Sequence, residues 1–491
     1  MAYTDSYPVR ELPPKAIIYF LLFAGLGVLG YAIIMQKLVL AIAVICFPLV
    51  AIMIIYGLQK PRFVYLLYAT YAFFFTTISR YIHQAQLSVG LDILLVCLFI
   101  SLLFASYRKN SDFKLSSAIN ILTISYIPWI VFVLFQLTNP GIQLEGMTFG
   151  IRIWIVQTFV LYITASIVSN TPKMLRNGLI VVGVFTIIAF IKVIYQKYIG
   201  FDDAEKYWLY VERAYRTHIL SSGIRYFSYF TDAANFGTVM GAITLVYSIV
   251  GINTHSRKLT LFYLCIAGMG LIGMLFSGTR GALVIPMGGI ILYCLICKSA
   301  TRFMATVLIG ISIFIFFVFT DIGNGNAFIR RARTAFRPEK DASFNVRVEN
   351  RKKIAEYLKK NPWGVGIAKD IPQLVLDGDK YVEEAIPPDS FFVFIWIQTG
   401  TWGVILYISI LVVILLRCCY IVMFRVKDNK LRQTLAAFTC GAFGILVSGY
   451  VANSPGMPPT NFIIVAMIAF VMNGAYIDKQ ITEQKQIENK K

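Results

Sequence analysis

Residues 262–297 read FYLCIAGMGLIGMLFSGTRGALVIPMGGIILYCLIC. Two apolar runs flank one short interruption, SGTRGA at 277–282. A bilayer crossing needs about 20 predominantly apolar residues, and the runs on either side approach that length. Gly278 and Gly281 permit a tight connection between them. The stretch therefore predicts two membrane helices joined almost without a loop, with Arg280 fixed at the membrane surface where they meet. A cation there either snorkels to the interface or meets an anion.

The rest of the chain has the same character. Of its 491 residues 58% are hydrophobic and only 14% are charged, whereas a soluble domain carries about 25% charge. Fourteen candidate spans run roughly over 16–34, 38–58, 63–79, 87–106, 117–138, 150–169, 178–195, 232–251, 259–276, 281–298, 303–320, 389–416, 433–451 and 459–476. The first reads as a span that stays in place, since no small-residue cleavage site follows a short apolar core. The expectation is an all-α integral membrane protein of about 14 transmembrane helices, a single polytopic domain over residues 1–491.

An even number of spans puts both termini on one side, and lysine and arginine in short loops decide which. Alternate connections hold Lys60 and Arg62; Arg108, Lys109 and Lys114; Lys173 and Arg176; Arg257 and Lys258; and a cluster from Arg417 to Arg432. The opposite short connections hold Lys37, Arg80, Arg152 and Arg280. Both termini are expected in the cytoplasm. The net charge of +20 is then mainly a topology signal, and no nucleic-acid binding is read from it. All eight cysteines fall in spans or at cytoplasmic ends, so no disulfide framework is implied. Cys294 and Cys297 form a CxxC inside a span, which reads as packing.

Two outer connections are long, 196–231 and 321–388, and long loops are commonly functional. Within the second, SFNVRVENRKKIAEYLKKNPWGVG predicts a helix from about Asn345 to Lys360, with Val346, Ile354 and Leu358 near one face. Pro362 stops it, and Gly364 and Gly366 allow a sharp turn. Before it, FIRRARTAFRPEK places Arg330, Arg331, Arg333 and Arg337 on the outer side. They either touch the phosphates of membrane lipids or recruit an anionic substrate. The Asp377–Asp379 pair in DGD reads as a polar turn.

There is no Walker-type phosphate loop, and His83, His218 and His255 lack metal-ligand spacing, so neither cofactor nor metal is implied. What remains is a set of outer-side arginines. Arg225 stands just before a span, Arg280 begins one, and Arg347 and Arg351 lie one turn apart on the predicted loop helix. Guanidinium groups present forked donors that match phosphate oxygens. Several converging on one cavity would clamp a diphosphate. Asp92 and Lys192 lie within spans near their outer ends and are expected to pair with each other or with that clamp.

Five features in order resemble the O-antigen ligase and polysaccharide polymerase superfamily. They are GIRYFSYFTDAANFG (223–237), SGTRGAL (277–283), VRVENRKKIAEYLKKNPWGVGIAKD (346–370), PPDSFFVFIWIQTGTWGVILY (387–407), and the long outer loop placed between spans. The resemblance covers about residues 215–415. It implies a C-type glycosyltransferase-like fold with a large, partly helical periplasmic loop, in the bacterial inner membrane. It also implies an inverting, metal-independent transfer at the periplasmic face, from an undecaprenyl-diphosphate-linked glycan to an acceptor glycan or lipid A–core. By motif position, Arg225 and Arg280 would hold the diphosphate.

The chain departs from the family pattern where a histidine is usual. Counting back from Gly403 and Gly400, that position is Asp389, and a usual glutamate is Gln398. Asp389 is either a general base or the amino-terminal cap of the next span, and His218 is the alternative base. Polymerase and ligase both stay open. A lipid-linked-glycan flippase or other transporter is the competing reading, although the basic residues outside the topology signal gather at one face. A structural partner in an export complex is the third.

Overall fold

The computed structural model describes residues 59–82, 87–108, 111–139, 144–220, 223–297, 342–377 and 380–488, with short pieces between 27 and 57 and between 304 and 333. The spans expected at 16–34 and 38–58 lie largely outside these residues, and that at 303–320 lies outside them in part. His83, Arg330, Arg331, Arg337 and Asp379 also lie outside them.

The main helices, in order, are α1 (Pro61–Tyr81), α2 (Val89–Ser106), α3 (Ile127–Gln136), α4 (Gly146–Val168), α5 (Pro172–Tyr198), α6 (Asp203–Tyr210) and α7 (Ala233–Ile252). They continue as α8 (Arg257–Phe276), α9 (Arg280–Ile296), α10 (Ala342–Lys360), α11 (Phe391–Tyr420), α12 (Asn429–Ser448), α13 (Thr460–Met472) and α14 (Gly474–Glu488). Among the described residues seven helices are long and apolar enough to cross a membrane, or eight if the bent α13–α14 pair counts as one span. Side chains such as Ile93, Phe104, Ile191 and Leu416 stay exposed on them, as a lipid-facing surface requires.

The centre of the bundle is α7 and α12. In each, 83% of the apolar window is buried inside the protein, against 33% for α2, α5 and α8. Their approach to α8 and α9 is backbone-close. A side chain at Gly289 would meet the Cys440 carbonyl, and one at Gly444 the Ile285 carbonyl. Small residues at helix contacts are the usual route to tight packing in a membrane, where apolar burial alone gives no preference. Cys294 and Cys297 are buried in this packing.

Three expected spans are interrupted, each by a polar group or a glycine with a visible task. The 117–138 segment splits into Leu115–Ala118, Ile121–Ile124 and α3, and Asn120 caps the middle piece in a capping box with Thr123. The 459–476 segment bends by 57° after α13. There Asn473 donates to the Ser166 and Ser169 carbonyls, at 2.7 and 2.9 Å. The 389–416 segment, α11, breaks at Gly400, where φ is 68° and ψ −170°.

Asp92 and Lys192 pair neither with each other nor with the arginines of the cavity described below. Arg152 Nε and Gln157 Nε2 donate to Asp92, at 2.5 and 2.6 Å. Lys192 Nζ binds Asp202 at 2.7 Å and Glu205 at 3.0 Å. Both carboxylates lie close in sequence to the lysine, at the foot of the 196–231 segment, so the nearer partners win.

Candidate functional site

Where α7, α9 and α11 begin and α12 ends, a cavity of about 390 Å³ opens. Residues from six separated parts of the chain line it: Thr217, His218 and Arg225; Asp232 to Ala234; Gly278 to Gly281; Arg347; Pro388 with Asp389; and Val451 to Ser454. Of the six expected site residues, Arg225, Arg280, Arg347, Asp389 and His218 are brought together here. Arg351 is not. It turns away to donate to the Tyr450 carbonyl at 2.7 Å, with its guanidinium 4.2 Å from the Tyr450 ring centre.

The SGTRGA turn is built from within. Ser277 is buried and donates to the Met274 carbonyl, Gly278 takes a φ of 57°, and the Thr279 amide donates to Ser277 Oγ at 3.1 Å. This sets Thr279 at the N-cap of α9 and Arg280 as its first residue. No acidic side chain occupies the first turn of that helix, and no side chain caps it. A helix N-terminus carries partial positive charge, so Arg280 and the helix start favour the same sign of ligand.

Arg225 is aimed by a short hairpin, β1 (Ile219–Leu220) and β2 (Gly223–Ile224). The Arg225 amide extends the hairpin by donating to the His218 carbonyl at 2.8 Å. Its guanidinium donates to the Thr217 carbonyl at 3.0 Å and to Thr279 Oγ1 at 2.9 Å. Thr279 in turn donates to the Ala233 carbonyl at 3.0 Å. The residue just before Arg280 thus fixes Arg225 and ties both to the start of α7. Sequence reading missed this role of Thr279, although the threonine stands in the SGTRGA motif itself.

His218 is occupied. The Ala233 amide donates to its Nε2 at 3.2 Å, so Nδ1 carries the proton and donates to the Ala214 carbonyl at 3.0 Å. The ring packs edge-on against Trp208 and Phe227. Burial pushes its pKa down to about 4. The imidazole is thus a neutral prop for the first turn of α7, where Asp232 accepts from the Ala234 and Asn235 amides. Acting as a base would require it to leave the Ala233 amide.

Asp389 is not the cap of α11. Ser390 is, accepting from the Val393 amide at 3.3 Å. The carboxylate one residue earlier is released from the helix end. It accepts instead from Asn350 Nδ2 at 3.0 Å, across from α10.

The loop helix α10 begins near the expected position, but its buried face starts one turn later than expected. Val346 is exposed, and the buried stripe runs through Asn350, Ile354 and Leu358. Val346 lies on the same four-residue line, one turn before Asn350, but at the open end of the helix. Ile354 and Leu358 pack with Ile371, Ile386, Val393 and Ile397. After α10, NPWGVG docks into the break of α11: the Val365 amide donates to the Ile397 carbonyl at 2.9 Å and the Gly366 amide to the Gln398 carbonyl at 3.2 Å. A side chain at Gly400 would overlap the Pro362 carbonyl. Gly364 therefore serves a close backbone approach as well as a turn, since a side chain there would overlap the Gln398 carbonyl. The loop closes with an antiparallel hairpin, β3 (Pro372–Asp377) and β4 (Lys380–Ala385), in which Asp377 pairs with Lys380. The sequence reading had no strands here.

Fold and site together define a multi-pass membrane protein with a basic cavity at one end of its bundle, to which the inserted helix α10 contributes Arg347. The family model for O-antigen ligase matches residues 260–408, and this stretch is thus similar to the O-antigen ligase and polymerase superfamily that its motifs resemble. The match takes in Arg280, Arg347, Asp389 and the NPWGVG–Gly400 junction, and stops short of His218 and Arg225. The family is one of glycosyltransferase-type enzymes of O-antigen biosynthesis, which act with lipid-linked glycan and acceptor partners. No curated protein matches the chain.

Proposed function

We propose that the chain is a glycosyltransferase that moves a glycan from undecaprenyl diphosphate to an acceptor hydroxyl, at the periplasmic face of the inner membrane. The observation that carries this reading is the convergence of Arg225, Arg280 and Arg347 with the carboxylate of Asp389 on one cavity. Arg225, Arg280 and Arg347 would hold the diphosphate. Arg351, which lies outside the cavity, would keep α10 in place.

In the transfer, the acceptor oxygen forms a bond to the anomeric carbon as the bond from that carbon to the diphosphate oxygen breaks. Attack from the side opposite the leaving group inverts the centre. The acceptor proton goes to Asp389, and the negative charge growing on the leaving diphosphate is met by guanidinium groups already in place. The lipid diphosphate is itself the activated donor, so the step needs no nucleotide and these residues supply the charge stabilisation. Ligase and polymerase differ only in the acceptor, and the same cavity serves either.

The test is transfer by purified, membrane-reconstituted protein from an undecaprenyl-diphosphate glycan, without added nucleotide. Each charge-assisted hydrogen bond contributes about 1.5–3 kcal/mol, so Arg225→Ala and Arg280→Ala are each expected to slow transfer roughly ten- to 150-fold. Asp389→Asn is expected to slow it by about 10²–10⁴-fold. Full activity in both arginine variants would rule out the clamp, and full activity in Asp389→Asn would move the base elsewhere.

A further inference from the structure

We infer that Asn350 is a positioning residue for Asp389: its side-chain amide turns one carboxylate oxygen away and leaves the other to accept the proton. This rests on the reading of Asp389 as base. Asn350 is only 8% exposed, and its Nδ2 lies 3.0 Å from Asp389 Oδ2. It does not line the cavity, so it acts through the aspartate and not on the substrate.

The local structure explains why a partner is needed. Asp389 stands between the prolines 387 and 388 and the true cap, Ser390. No helix amide restrains its carboxylate, which a cap would have done. A donor from another element does that work. Asparagine suits this place because it donates without titrating.

Helix α10 has two halves that divide the labour. Ile354 and Leu358, in the second half, hold the helix in an apolar cluster with Val393 and Ile397 of α11. In the first half, Arg347 enters the cavity and Asn350, one turn on, reaches Asp389. One helix thus presents both a cation for the leaving group and the support for the base. Because its anchor lies in the apolar half, the helix stays docked when Asn350 is changed. The other charged or titratable groups facing the same cavity are Arg225, Asp232, His218, Arg280 and Arg347.

The experiment measures steady-state transfer by the full-length reconstituted protein. Asn350→Ala is expected to lower kcat tenfold or more while the KM for donor and acceptor stays within about twofold. Asn350→Asp sets a second carboxylate against the first, and is expected to move the acid limb of the pH–rate profile to higher pH, because two carboxylates in contact resist ionising together. In an Asp389→Asn background, Asn350→Ala is expected to change nothing further, the signature of two residues acting as one unit. Unchanged kcat in Asn350→Ala, or an undiminished effect of Asn350→Ala in the Asp389→Asn background, would overturn the inference. Full activity in Asp389→Asn alone would instead refute the reading of the base, so the two failures are distinguishable.

Discussion

The two long segments that meet at the cavity are held in opposite ways. The 196–231 segment is fastened by buried charge. Lys192 reaches Asp202 and Glu205, Gln196 bridges Glu205 and the Ser228 amide, and the Arg80 guanidinium donates to the Ser228, Phe230 and Thr231 carbonyls while lying over Trp208 and Phe227. The segment after α10 is fastened by backbone contact at the α11 break and by an apolar cluster. Buried ion pairs and hydrogen-bonded arginines resist rearrangement because a lost partner leaves a charge stranded. Two backbone hydrogen bonds and a glycine junction are weaker. The first segment, which fixes Arg225, is therefore the rigid half of the site, and the second, which brings Arg347 and Asn350, is the half that can be unlatched.

That contrast can be broken most sharply at the junction. Gly400→Ala puts a side chain into the Pro362 carbonyl and strains a backbone with positive φ, a conformation that costs about 1–3 kcal/mol without glycine. It is expected to expose the 342–390 segment to limited proteolysis and to reduce transfer by tenfold or more, with the 196–231 segment unaffected. Equal protection of both segments in the variant would erase the distinction.

A smaller effect, on the rigid half, comes from acid. Burial depresses the His218 pKa from its ordinary 6.5 to about 4. Between those values the unfolded segment binds a proton that the folded one does not, so stability is full above about pH 6.5 and falls as the pH drops through the window. Hydrogen exchange of the first turn of α7 and of residues 214–220 is expected to quicken as pH is lowered from 7 to 5, after correction for intrinsic rates. His218→Gln is expected to remove that dependence. A pH-independent profile in the unaltered protein would show that the imidazole does not support this turn.

The smallest effect is expected from Arg351→Ala. Its guanidinium contacts the Tyr450 carbonyl and ring outside the cavity, so transfer should fall no more than about threefold, the scale of one partly exposed contact. A loss as large as that of Arg280→Ala would return Arg351 to the clamp.

The sequence made the cations legible and left their supports hidden. Arg280 could be located because two apolar runs on either side of glycines allow it only one place. Arg225, Arg347 and Asp389 followed from motif order along the chain. Thr279 and Asn350 escaped because their partners, Arg225 and Asp389, lie 54 and 39 residues away. Spacing says nothing about a contact made across a bundle. Whether Asp389 caps α11 turned on one residue, Ser390, since either side chain can cap a helix and only the backbone decides which stands at the end. Likewise Gly364 and Gly400 were visible as separate turn signals, while their shared reason is that two backbones touch.

The central claim is that Arg225 and Arg280, joined through Thr279, hold one diphosphate. Its most direct test is equilibrium binding of undecaprenyl diphosphate to the reconstituted protein and to Arg225→Ala, Arg280→Ala and the double variant. We expect at least a tenfold loss of affinity in each single variant, with the double variant losing less than the product of the two. Unchanged affinity in both single variants would contradict the account.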